Sequence, residues 1–260
     1  MTFSPKLVAL DVDGTLVDGD NNMSAAVRDA VWGLRDKGIE TVITTGRAIP
    51  GVMSTVDKLG FDDGIAIGSN GAVVFSYAPP VVLHSVTFDA SAAVALILAQ
   101  VPDAMVAVEE MGVGYRVNKH FPDGEIGGQI TLQSVEELVE HPVSRVIIRA
   151  PEHSAEEFGA IVSEIGLTDT SYYIGYSAWV DLAPEGVSKA SGLEFVCERL
   201  GVDVSEVLAV GDGHNDYEML EWAGRGVAMG HAPDRVKRIA DDVTGSIEQD
   251  GLAQELAKYL

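Results

Sequence analysis

Four apolar residues in a row, Leu7-Val8-Ala9-Leu10, run directly into Asp11-Val12-Asp13-Gly14-Thr15. A strand without polar alternation has to be covered on both faces, as in a parallel sheet flanked by helices. Two carboxylates two residues apart at the end of such a strand project to the same side. That end is where α/β sheets hold their ligands. Close carboxylates repel, so a compensating cation or a shared proton is required there, and a hard divalent ion such as Mg²⁺ suits oxygen donors. Taken alone, the fragment is also compatible with a plain Asp/Gly turn.

Strand and helix continue to alternate. A helix is predicted from Ser24, whose hydroxyl caps it, with Val27, Ala30, Val31 and Leu34 at helical spacing and Gly38 as the stop. A strand at Glu40–Thr44, a helix around 52–59 and a strand at Ile65–Gly68 follow, the order of a right-handed parallel crossover. The pattern returns late in the chain, with a helix over 188–200 ending at Gly201, a strand at 207–210, a helix near 217–223 and a strand at 227–229.

The middle of the chain reads differently. Helices are predicted over 89–101, 134–140 and 154–165, the last opening with the capping box Ser154 to Glu157. Strands at 105–109, 114–118, 145–149, 172–176 and 179–182 include adjacent pairs with short turns, which implies antiparallel hairpins. The expected fold is α/β, a Rossmann-like core with a parallel sheet flanked by helices, formed by 1–80 and 185–260. An inserted α+β domain occupies 81–184, with hinges at Ala78-Pro79-Pro80 and Pro184-Glu185-Gly186.

Three further strings sit at strand ends or helix starts. Thr44-Thr45-Gly46-Arg47 offers a hydroxyl, an unobstructed N–H and a helix start, which suit a phosphate oxygen. Lys189 stands at a helix opening, where the dipole disfavours a cation and an anionic substrate would give it a reason to be. Gly211-Asp212-Gly213-His214-Asn215-Asp216 is a second carboxylate cluster, and with Gly213 relaxing the turn Asp212 and Asp216 could both approach a cation held by Asp11. Each string has a bland reading by itself: a capping Thr, a surface lysine, an Asp/Asn-rich turn. His214 within the last string is expected to face solvent.

In this order, Asp-x-Asp-Gly-Thr, Thr-Gly-Arg, Lys and Gly-Asp-x-x-Asn-Asp closely resemble the four motifs of the haloacid dehalogenase (HAD) superfamily. Asn70-Gly71-Ala72, the long insert after the third strand, and 229–234 followed by Asp250-Gly251 look like the Cof-type subfamily (class IIB), which carries a C2B cap. The resemblance implies a Mg²⁺-dependent phosphatase in which Asp11 is transiently phosphorylated and Asp13 is the general acid/base. Thr45 and Lys189 would hold the phosphoryl group, with Gly46, Arg47, Asn70, Gly71 and Asn215 contributing to phosphate binding. Asp11, Asp13 through its backbone carbonyl, Asp212 and Asp216 would form the metal site, Asn215 and Asp216 also orienting the ligands and Lys189.

The implied substrate is a small phosphorylated metabolite such as a sugar phosphate. Arg116, Lys119, His120, Arg145, Tyr115, Tyr173 and Trp179 of the cap are the candidates for choosing it. The closest rival is a hexose-phosphate phosphomutase of the same superfamily; a phosphoaspartate signalling or binding protein is a different class. Ala190 stands where Gly commonly follows the Lys, and Asp181 where Glu is frequent, neither at a reacting group.

With 17 Lys plus Arg against 40 Asp plus Glu, a formal net charge of −23 repels polyanions, so no nucleic-acid partner is expected. The single cysteine, Cys197, cannot form an internal disulfide and suits a reducing compartment. No stretch approaches the roughly 20 apolar residues of a spanning helix, and the first residues lack a leader pattern. The expectation is a cytoplasmic protein, without a membrane partner, acting on a small phosphate ester as a monomer or small homo-oligomer.

Overall fold

A computed structural model describes residues 3–168, 170–175 and 177–260. The chain opens with β1 (Leu7–Leu10), α1 (Ala25–Asp36), β2 (Glu40–Thr44), α2 (Ile49–Leu59), β3 (Ile65–Gly68), β4 (Val73–Ser76) and β5 (Val81–Ser85). The middle contains α3 (Ser91–Gln100), β6 (Met105–Glu110), β7 (Gly114–Val117), β8 (Gln129–Leu132), α4 (Val135–Leu138), β9 (Val146–Arg149), α5 (Ala155–Ile165), β10 (Thr170–Ile174) and β11 (Trp179–Pro184). The last part holds α6 (Lys189–Leu200), β12 (Val207–Gly211), α7 (Tyr217–Trp222), β13 (Arg225–Ala228), α8 (Asp234–Ile239), β14 (Asp242–Val243) and α9 (Gly251–Leu256).

The contacts divide the chain into two units. The first takes the residues up to Gly46, Val52–Leu83, and everything from Ser188 on; the second takes Arg47–Gly51 and His84–Val187.

In the first unit one sheet runs β14-β13-β12-β1-β2-β3-β4-β5. Every pair from β14 to β3 is parallel, and β4 turns back antiparallel to β3. The chain winds outward from β1 through β2 and β3, then returns on the other side of β1 as β12. The reversal makes the carboxyl ends of β1 and β12 a topological switch point, the usual ligand crevice of an open α/β sheet. All four residues of β1 are buried, as the unbroken apolar run requires.

Helix α1 begins where Ser24 accepts a hydrogen bond from the Val27 N–H at 3.1 Å, and it buries Val27, Ala30, Val31 and Leu34. A second apolar layer joins Leu7 and Ala9 of β1 and Val42 of β2 to Leu193 and Val196 of α6 and Met219 and Leu220 of α7. Cys197 is buried in the same layer, and burial pushes its thiol up to about 11. Ala78-Pro79-Pro80, read from sequence as a hinge, lies in the turn between β4 and β5 of this sheet.

In the second unit the sheet runs β10-β11-β9-β6-β7-β8, antiparallel throughout except that β8 joins β7 in parallel. Val94 and Ile97 of α3 and Phe158 and Val162 of α5 pack on Val106, Val108, Val146, Ile148, Val180 and Leu182. The alternate residues of those strands meet a separate group, Ala107, Tyr115, Val117 and Ile147 with Ala48. On that face Arg145 is buried and pairs with Asp181 at 2.6 Å and the Tyr115 hydroxyl at 2.9 Å. β10 starts earlier than the expected 172–176, because its register against β11 pairs Thr170 with Pro184 and Ile174 with Val180; Tyr176 lies outside the described residues. No helix among the described residues is long and apolar enough to cross a membrane.

Candidate active site

The site grows from the carboxyl ends of the first unit's parallel strands. The Asp11 N–H donates to the Val210 carbonyl at 3.0 Å, extending the β1–β12 ladder by one step and setting Asp11 at the switch point, 3% exposed. Lys189 opens α6, where Ser188 caps the helix by accepting the Ser191 N–H. The lysine is fully buried, and its Nζ lies 2.6 Å from Asp11 Oδ1 and 2.5 Å from Asp216 Oδ1. A cation at a helix N-terminus works against the dipole; two carboxylates offset that here.

Asp216 does double duty. While Oδ1 takes the lysine, Oδ2 accepts the N–H groups of Asp212 at 2.9 Å and Gly213 at 2.8 Å. This closes the loop after β12 on itself and aims Asp212 toward the switch point. The fold-back leaves no room for a side chain at Gly211, whose Cβ would stand 2.4 Å from Asp216 Cγ.

Three carboxylates therefore face one ammonium. Burial, then the neighbouring Asp216, push the Asp11 carboxyl well above the usual range, and Lys189 does not cancel them. Asp212 is pushed up to about 7 by burial and Asp216, with Asp13 adding to the rise. Burial by itself would lower the Lys189 ammonium; Asp11 and Asp216 outweigh it and hold the group above the ordinary lysine value.

The loop after β3 meets the loop after β12. Ser69, Asn70 and Gly71 all have positive φ, and Ser69 and Asn70 are buried. Left-handed backbone at two consecutive non-glycine residues is strained, and such strain clusters at functional sites. It aims the Asn70 side chain so that Oδ1 accepts from Asn215 Nδ2 at 2.9 Å. Asn70 also donates its N–H to the Thr45 carbonyl at 3.0 Å, and the Thr45 N–H donates to Ile67 at 2.9 Å, so the buried Thr45 is held from both sides. A Cβ on Gly46 would stand 3.0 Å from Asn70 Oδ1, which puts Gly46 beside the same side chain.

The structure thus gathers Asp11, Lys189, Asp212 and Asp216, and joins Thr45, Gly46, Asn70 and Asn215 through their loops. Asp13 is exposed and close enough to Asp212 to raise its pKa. Gly71 packs on the start of α6, where its Cβ would collide with the Ser188 carbonyl. Arg47, half-buried, counts with the second unit, its side chain along Gly51. His214 is exposed. One neighbour of the cluster escaped the sequence reading: His231, whose Nε2 lies 3.3 Å from Asp212 Oδ2. Its only sequence signal is membership of the 229–234 segment.

A divalent cation fits this donor set. Asp11, Asp212 and Asp216, all buried, each bring a carboxylate oxygen to within 4.8 Å of the others. The donors are hard oxygens, and their excess negative charge over Lys189 calls for more positive charge than the chain supplies.

The family of haloacid dehalogenase-like hydrolases matches residues 8–256. This chain is a haloacid dehalogenase-like hydrolase. The hydrolase is 29% identical over 275 residues to the 5-amino-6-(5-phospho-D-ribitylamino)uracil phosphatase YitU of Bacillus subtilis, covering 100% of this chain and 99% of the relative. Among solved structures it is similar to the phosphatase BT1666 from Bacteroides thetaiotaomicron, with TM-score 0.81 at 29% identity, covering 99% of this chain and 96% of that one. The subclass IIB sugar phosphatase BT4131 superimposes with TM-score 0.81 at 25% identity, over 97% of this chain and 98% of that one. The hydrolase is accordingly an enzyme of the Cof-type, subclass IIB phosphatases, and its α/β fold is theirs.

Proposed function

We propose that this hydrolase is a Mg²⁺-dependent phosphatase that removes the phosphoryl group of a small sugar or polyol phosphate by way of a phosphoaspartate on Asp11. The observation that carries the reading is the Lys189 ammonium held between Asp11 and Asp216 at the strand ends, with Asp212 alongside.

In this reading the ionised Asp11 attacks phosphorus, forming an acyl phosphate as the P–O bond to the leaving group breaks. Asp13, exposed two residues on, donates its proton to the departing oxygen. Asp13 then takes a proton from a water that attacks the phosphoaspartate, and phosphate leaves with Asp11 regenerated. Burial raises the Asp11 pKa, so countercharge is needed to keep the nucleophile ionised, and Lys189 supplies part of it. Asp11, Asp212 and the backbone carbonyl of Asp13 would hold Mg²⁺, which supplies the remaining positive charge against the phosphoryl oxygens.

Asp216 acts by orientation, because its oxygens are engaged by Lys189 and two backbone N–H groups. Thr45 and the adjoining N–H groups of the β2 exit bind the phosphoryl oxygens, with Gly46, Asn70, Gly71 and Asn215 shaping that part of the site.

The relatives' names support this substrate class: one is named for a 5-phospho-D-ribityl compound and another as a sugar phosphatase, both names pointing to phosphate esters of polyhydroxylated carbon. Phosphate release from a panel of sugar phosphates, polyol phosphates and nucleotides, with Mg²⁺ and with EDTA, tests the reading. Release that requires Mg²⁺, is absent in Asp11→Asn and favours the polyol esters supports it. Undiminished turnover by Asp11→Asn would remove Asp11 as nucleophile.

A further inference from the structure

Two sequence segments remain outside the chemistry just described: 229–234 and Asp250-Gly251. The structure joins them. The Gly230 N–H donates to the Gly245 carbonyl at 2.9 Å, the Thr244 N–H to Ala228 at 3.0 Å, and the Gly251 N–H to Ser246 at 2.9 Å. The approach is close enough that a Cβ on Gly230 would stand 2.8 Å from the Gly245 carbonyl carbon and the Ser246 nitrogen.

The same braced loop fixes one side chain. Ile247 donates its N–H to Nδ1 of His231 at 3.2 Å. A nitrogen that accepts carries no proton, so the imidazole is the tautomer protonated on Nε2. Nε2 lies 3.3 Å from Asp212 Oδ2. Met229, two residues earlier, donates its N–H to the Gly211 carbonyl at 3.0 Å, tying the segment to the residue before Asp212.

We propose that His231 is a positioning residue for the cation site, its imidazole anchored by the 244–251 loop and holding the Asp212 carboxylate in its ligating orientation. This rests on the cation site proposed above. A hydrogen-bond donor behind a ligating carboxylate fixes its rotamer and preserves its affinity, and loss of such a partner typically lowers metal affinity by about 10- to 100-fold. His231 does not touch substrate; it acts through Asp212. Its side chain is 29% exposed, so its replacement leaves the core intact.

The test uses the full-length protein stripped with EDTA and titrated with Mn²⁺, free ion being read by electron paramagnetic resonance. His231→Leu, which keeps bulk and loses the donor, weakens Mn²⁺ binding by roughly 10-fold or more. His231→Gln, whose amide N–H reaches the place of Nε2, recovers most of the affinity. In turnover assays the Mg²⁺ concentration for half-maximal rate rises in the Leu variant and returns toward wild type in the Gln variant. Leu binding Mn²⁺ as tightly as wild type overturns the role, as does Gln binding as weakly as Leu. Failure of the wild type itself to bind Mn²⁺ overturns the cation site and this role with it, an outcome distinct from the other two.

Discussion

The Lys189 Nζ lies 2.6 Å from Asp11 Oδ1 although 178 residues separate the two in the chain. This pair, with Asp216 on the far side of the ammonium, locks the start of α6 onto the end of β1. Lys189 is the hub: removing it leaves three buried carboxylates facing one another. Breaking a buried ion pair from one side costs about 3–5 kcal/mol. Lys189→Met in EDTA is therefore expected to lose unfolding free energy in that range and so to unfold at lower urea, and Mg²⁺ is expected to recover part of the loss. Urea titrations with and without the ion check both.

Asp11→Asn keeps the shape of the side chain and removes its charge. Turnover is expected to fall by roughly 10³-fold or more, the scale seen when a nucleophile is lost. Because the carboxyl resists ionisation in its buried place, the metal-free variant is expected to melt no lower than wild type. Phosphate release and thermal melting on the same preparation separate the two effects.

Burial and the neighbouring Asp216 push the Asp212 carboxyl from an ordinary value of 3.8 up to about 7, and burial shifts Asp11 in the same direction. A raised folded pKa stabilises fully below the unfolded value, and that stabilisation is lost as the pH rises through the folded one. The EDTA-treated protein is thus expected to lose stability from these groups as pH climbs from about 4 through 7. Mg²⁺ favours the ionised carboxylates, so its effect on melting temperature is expected to be larger at pH 7.5 than at pH 5.5. Equal shifts at both pH values would contradict the assignment.

Asn70 sits at φ 54 with its side chain on Asn215. Glycine accepts that backbone and alanine does not, a difference of about 1–2 kcal/mol. Asn70→Gly is expected to be more stable than Asn70→Ala by that order, with both losing the Asn215 contact and phosphatase rate alike. Chemical denaturation and kcat measured on the two variants test this.

How much of the site was visible before folding depends on how local each cause is. The caps at Ser24, Ser154 and Ser188 act over three or four residues, so the helices they open were legible, as was the strand Glu40–Thr44 from its place directly after the Gly38 stop. β4 and β5 were missed because the Ala78-Pro79-Pro80 turn between them carries the composition of a linker. His231 was missed because nothing within its own segment points to Asp212; the contact exists only once β13 lies beside β12.

By itself the sequence determined the alternation of strand and helix at both ends, the hairpin-rich middle, and the placement of Asp11-Val12-Asp13, Thr45-Gly46-Arg47 and Asp212 to Asp216 after strands and of Lys189 at a helix start. Capping hydroxyls, side-chain alternation and apolar runs are short-range and need no partner from elsewhere. Tertiary structure decided that one ammonium serves both Asp11 and Asp216, that Asn70 meets Asn215, and that the loop after β14 reaches His231. Those distances follow from strand order and from α6 packing on the sheet, and a charge pair of a few ångströms between remote residues exists only after that packing has closed.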